Sequence, residues 1–126
     1  MTGVTTAMTD ALRALEQAIA PPRPGTPVGN WRWSVRQRLT GVREALVIED
    51  AGIDNTWLAA RTGTALRERH TLVSRVVSLG SDVLDRPDMD RLRLELRRLV
   101  TDLNHHLQHL NDLAYDDVEL ELGGED

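Results

Sequence analysis

Apolar residues recur along the chain every three or four positions, and no segment alternates with the two-residue period of a half-buried strand. Four stretches carry this helical rhythm. In the first, from about Thr5 to Ala20, Met8, Ala11, Leu12, Leu15, Ala18 and Ile19 form one stripe, and Asp10, Arg13, Glu16 and Gln17 lie mostly off it. Pro21 and Pro22 end it, because proline lacks the ladder N–H and restricts the residue before it. Residues 21–30 hold four Pro and two Gly and predict an irregular linker. Such a linker lets the first helix reach a distant partner, dock loosely or exchange between copies.

Asn30 is the predicted N-cap of the second helix. Trp31, Val35, Leu39, Val42 and Leu46 then form a single core-facing stripe, and Gly52 marks the end. Asp54, Asn55 and Thr56 supply a turn and the next cap. The third helix is predicted from about Trp57 to Leu84, with a broad apolar arc of Leu58, Ala65, Leu66, Leu72, Val73, Val76, Val77, Leu79, Val83 and Leu84. Gly63 and Gly80 weaken it or permit close helix approach. Asp85, Arg86 and Pro87 break it, and the fourth helix starts near Pro87 and Asp88. There Leu92, Leu96, Leu99, Leu103, Leu107, Leu110 and Ala114 share one face. Glu119 to Asp126 is acidic, contains Gly123 and Gly124, and is expected to fray or fold back.

Four amphipathic helices at this length predict an all-α, antiparallel up-down four-helix bundle. The expected organisation is a first helix and Pro-rich linker over 1–30, the rest of the single bundle over 31–118, and an acidic tail over 119–126. A fully buried Leu contributes roughly 1.5–3 kcal/mol. Such a core holds without a metal, so any bound ion would serve function rather than folding.

Composition narrows the function. All 15 basic residues are Arg, against 20 acidic residues, for a net charge of −5. That balance argues against a general nucleic-acid binder, which needs a basic footprint. The absence of Cys removes disulfides, thiolate metal sites and a cysteine nucleophile. No apolar run reaches the length of a membrane span, and Met1 to Ala20 lacks the basic and apolar regions of a signal peptide, so no membrane partner and a cytoplasmic location are expected. No Gly-rich phosphate loop, Ser-His-Asp set or HExxH motif occurs.

The candidate chemistry lies in four histidines, His70, His105, His106 and His109. At 100° per residue and with Leu92 as zero, His106 falls about 40° from the stripe centre, His109 near its border and His105 toward solvent. With Leu66 as zero, His70 falls at about 40°, at the edge of the third helix's arc. Asp102 precedes His106 by one turn and can hydrogen-bond it. Glu49 and Asp50 end the second helix on or beside its buried stripe. Imidazoles and carboxylates from facing helices are how helical di-iron and di-manganese sites are built. The competing reading is structural: a His at the edge of an apolar arc hydrogen-bonds a carboxylate or a carbonyl and packs. His105 and His109, one turn apart, are a candidate for a surface ion. Trp31 is expected in the core, and Trp33, on the opposite side, over the linker or on a partner surface. The arginines at 91, 93, 97 and 98 alternate with Asp90 and Glu95, as on a solvated helix face.

The segment His106-Leu-Gln-His-Leu-Asn-Asp-Leu-Ala-Tyr115, followed by Asp116 and by Gly123-Gly-Glu-Asp126, resembles the last helix of small bacterial hemerythrin-like (HHE cation-binding) proteins. Arg67-Glu-Arg-His70 resembles their third-helix ligand region. The resemblance covers roughly residues 31–124 and is clearest over the final twenty. It implies a four-helix bundle holding two carboxylate-bridged irons, for dioxygen binding, oxygen or nitric oxide sensing, or iron handling. Carried over residue by residue, His70 matches the third-helix ligand, His106 the fourth-helix ligand, and the second-helix position falls near Glu49. Asp102 and His109 would support His106 from the second shell. The chain departs from the family in having no His in its first two helices. Glu49, His70 and His106 together would hold at most one ion with open positions.

The expectation is therefore a hemerythrin-like bundle whose di-iron site has been lost, acting as a non-enzymatic interaction or regulatory module without cofactor, as a monomer or homodimer with an unknown protein partner. The alternative is a metal-binding protein, for iron or another divalent ion, using the reduced ligand set. An enzyme acting on small molecules would need a buried cavity beside His106.

Overall fold

A computed structural model describes the backbone of residues 2–52 and 59–123 and the side chains of residues 6–48 and 63–112. The described residues form four α-helices: α1 (Thr2–Ile19), α2 (Val28–Gly52), α3 (Ala59–Asp85) and α4 (Met89–Gly123). They contain no strand. None of these helices is long and apolar enough to cross a membrane. Each packs against two others in the cycle α1–α2–α3–α4, so that α2 and α4 lie diagonally across the core.

The apolar stripes explain the packing. Met8, Leu12, Leu15 and Ile19 from α1 meet Trp31, Val35, Leu39, Val42 and Leu46 from α2. Leu72, Val76, Leu79 and Val83 from α3 and Leu92, Leu96, Leu99 and Leu103 from α4 complete one continuous core. The third-helix arc is narrower than its sequence predicts. Val77 and Leu84 stand exposed, because the buried line passes through Leu72, Val76, Leu79 and Val83 and leaves them on its flank.

The connections follow local chemistry. After α1, the Thr26 N–H donates to the Arg23 carbonyl at 3.0 Å and Gly25 takes φ = 86°. This is the Pro-Gly arrangement of a type II turn, with Pro24 and Gly25 at its centre. Helix α2 begins at Val28, two residues before the expected cap, and the Asn30 N–H donates to the Pro27 carbonyl at 3.1 Å. Asn30 thus lies in the first turn rather than capping it. Asp88 opens α4, its carbonyl accepting from Leu92 N–H at 3.0 Å. At the other end α4 stays helical to Gly123, through residues 119–123 where a fraying tail was expected.

One end of the bundle is tied by side chains that reach helix carbonyls. Trp31 Nε1 donates to the Ala20 carbonyl at 2.8 Å, and Arg93 Nε to that of Ile19 at 3.0 Å. The Arg32 guanidinium spans the carbonyls of Val83 at 2.8 Å and Arg86 at 2.6 Å. Farther along, Arg36 Nη1 donates to the Gly80 carbonyl at 3.3 Å. The last carbonyls of a helix lack intrahelical donors and carry partial negative charge, so a cationic fork satisfies both needs at once.

Candidate functional site

Two charged rungs join α3 to α4, and one more ties the α3–α4 connection to α4. At the tied end, Arg86 contacts Asp88 and Glu95, each at 2.7 Å. In the middle, Arg75 Nη1 donates to Asp102 Oδ2 at 2.6 Å. Beyond it, His106 Nδ1 and Glu68 Oε1 form a short hydrogen bond, and His109 Nδ1 lies 3.5 Å from the same oxygen. The first rung perturbs its acids. Hydrogen bonding to Arg86 holds the Asp88 and Glu95 carboxyls below their ordinary range, and the same bonds raise Arg86.

The third rung is the candidate site. The His106 side chain is completely buried, while Glu68 is about two-fifths exposed and His109 about one-third. The imidazole Nδ1–H donates from the core to a carboxylate that extends toward the surface. Directly beside it runs an open groove of about 450 Å³, lined by Thr64, Arg67, Glu68, Thr71, Leu72, Arg75, Asp102 and His105. Chemically this is a buried imidazole whose tautomer and orientation are set by a half-exposed carboxylate.

The residues singled out from the sequence are distributed differently from expectation. His106 is in the core and His109 is beside it. His70 is exposed, with its Nε2 3.3 Å from Arg69 Nη2. It does not face inward, because Leu66, the reference for that angle, is itself at the edge of the buried line. Asp102 bonds Arg75 rather than His106, since the facing helix offers a cation within reach. His105 is exposed on the groove. The side chains of Glu49 and Asp50 lie outside the described residues. Among the described residues no three His, Cys, Asp or Glu side chains are grouped to hold a metal ion.

Sequence reasoning passed over Glu68 and Arg69. The signal was present: referred to the centre of Leu72, Val76, Leu79 and Val83, Arg69 and Glu68 each fall about 50° away on opposite edges of the stripe, Glu68 on the α4 side. Arg69 is indeed buried, at 7% exposure.

Compared with family models, with curated proteins and with solved structures, the chain has no match.

Proposed function

We propose that this chain is a cytoplasmic, non-enzymatic interaction or regulatory module, built as an antiparallel up-down bundle of hemerythrin-like type that no longer carries a di-iron centre. Support for the up-down order comes from the tied end, where the last residues of α1 and α3 are bonded by the first turns of α2 and α4. The observation that carries the functional reading is the His106–Glu68 pair. The fully buried imidazole is satisfied by a carboxylate of the neighbouring helix, in a core whose other inward positions along α4 are Leu92, Leu96, Leu99 and Leu103. A His held this way stabilises and orients a seam. Freshly purified protein is expected to contain no stoichiometric iron, manganese or zinc by elemental analysis. Stoichiometric metal overturns the reading.

A second reading, a metal-binding protein with a reduced ligand set drawn from Glu49, His70 and His106, draws support from the gathering of His106 and His109 around one Glu68 oxygen. A ligand that binds only the native state raises its stability. Under this reading Fe²⁺, Mn²⁺ or Zn²⁺ raises the melting temperature of the intact chain and His106→Ala abolishes the rise. No shift with any of the three metals rejects it.

A further inference from the structure

The outward face of α2 and α3 carries apolar side chains that no other helix of the bundle covers. Trp33 is 55% exposed, Val77 51% and Leu84 39%. Between α2 and α3 runs a shallow groove with the buried Leu39 and Val76 at its base and Arg36 and Arg43 on its α2 rim. These two arginines are seven residues apart, which sets them about 10.5 Å apart along one side of the helix. Trp33 precedes Arg36 by three residues and so lies one turn away on the same side. The face is apolar with positive charge along one edge, although the whole chain is net −5.

The missing negative charge is concentrated elsewhere. From Asp112 to Asp126 the sequence holds seven acids and no base, so the residues before it carry a small positive net charge. Leu113, Tyr115, Val118, Leu120 and Leu122 are interspersed among those acids, and Asp112 and Glu119 have the same seven-residue spacing as Arg36 and Arg43. The backbone remains helical to Gly123, and α4 is eight residues longer than α3. Within the chain α4 packs against α1 and α3 and lies diagonally from α2.

We propose that the acidic end of α4 from a second copy of this chain docks on the α2/α3 groove, with the acids of that end set against Arg36 and Arg43. A two-fold arrangement gives each copy the same contact and closes the assembly. The proposal deepens the interaction-module reading and rests on it; metal content measured on the same sample tests that reading separately. Sedimentation equilibrium of the full chain gives the test. The expected result is a dimer at about 50 mM salt whose dissociation constant rises about tenfold or more at about 0.5 M salt. The double variants Arg36→Glu with Arg43→Glu and Asp112→Arg with Glu119→Arg are each expected to be folded by circular dichroism and monomeric alone. Mixing those two charge-reversed chains restores the dimer. A monomeric wild-type chain at about 100 μM, well within the range of weak association, overturns the proposal. So does a dimer indifferent to Arg36→Glu with Arg43→Glu, or a pair of reversed chains that stay monomeric when mixed.

Discussion

His106 shows how one side chain is made acceptable inside an apolar core. Its imidazole is completely buried, and burial without a partner costs a polar group its hydration. Glu68 supplies the acceptor from α3. Removing that acceptor by Glu68→Ala is expected to lower stability by about 1–3 kcal/mol, the cost of leaving a buried donor unmet. Adding His106→Leu, which removes the donor and keeps apolar volume, is expected to recover part of that loss, so the two effects will not add. Urea unfolding of the two single variants and the double variant checks this, and strict additivity refutes the coupling. At Gly80 a different argument applies. A Cβ placed there meets nothing within 4 Å, so Gly80→Ala gains helix propensity without a clash. The expected gain is about 0.5–1 kcal/mol in the same assay. The residue scale is also where sequence reading succeeded and failed. His106 was legible as inward because its reference, Leu92, is itself fully buried. His70 was misplaced because Leu66 is not on the buried line, and an angle is only as good as the residue from which it is measured.

Among the elements, the seams differ in kind. The α1 contribution is mainly apolar, through Met8, Leu12, Leu15 and Ile19, with added hydrogen bonds such as Asn104 to Glu16, whereas α3, α4 and their connection also carry three charged rungs. The helices themselves were readable from spacing, and so were the breaks at Pro21, Pro22 and Pro87, because proline imposes its geometry locally. The seams were not readable, since which acid meets which base depends on how two helices are rotated against each other. Asp102 illustrates this: its neighbour at one turn is His106, yet it bonds Arg75 across the seam. The tie between α2 and the end of α3 gives a further prediction. Arg32→Ala is expected to destabilise by about 1–2 kcal/mol, because two helix-end carbonyls lose a charged donor. Arg32→Lys is expected to restore only part of this, since an ammonium lacks the planar fork that spans both oxygens. The Arg86 rung sets a pH dependence. Its folded-state carboxyls, Asp88 and Glu95, titrate below their unfolded values. The stabilisation is therefore present above the unfolded range, about pH 4 to 4.5, and is lost as pH falls through the depressed values. The urea midpoint is expected to decline in acid, and Arg86→Ala is expected to make that decline shallower. An unchanged slope counts against the rung.

For the molecule as a whole, the fold class follows from four stripes that have nowhere to be buried except against one another. The function does not follow from the same pattern, because an apolar stripe states what must be hidden and says nothing of what the remaining surface meets. What the surface offers is unequal. One end is fastened by arginines on helix carbonyls, the α2/α3 side presents Trp33 and neighbouring apolar side chains, and the acids gather in the last part of α4.

The placement of two tryptophans two positions apart has a practical consequence. Trp31 is 5% exposed with its indole N–H on the Ala20 carbonyl, whereas Trp33 is 55% exposed. A soluble quencher such as acrylamide will reach the emission of one indole and be shielded from the other. In a Trp33→Phe, Trp57→Phe chain, the remaining fluorescence lifetime becomes an optical gauge of whether the end of α1 is seated on α2.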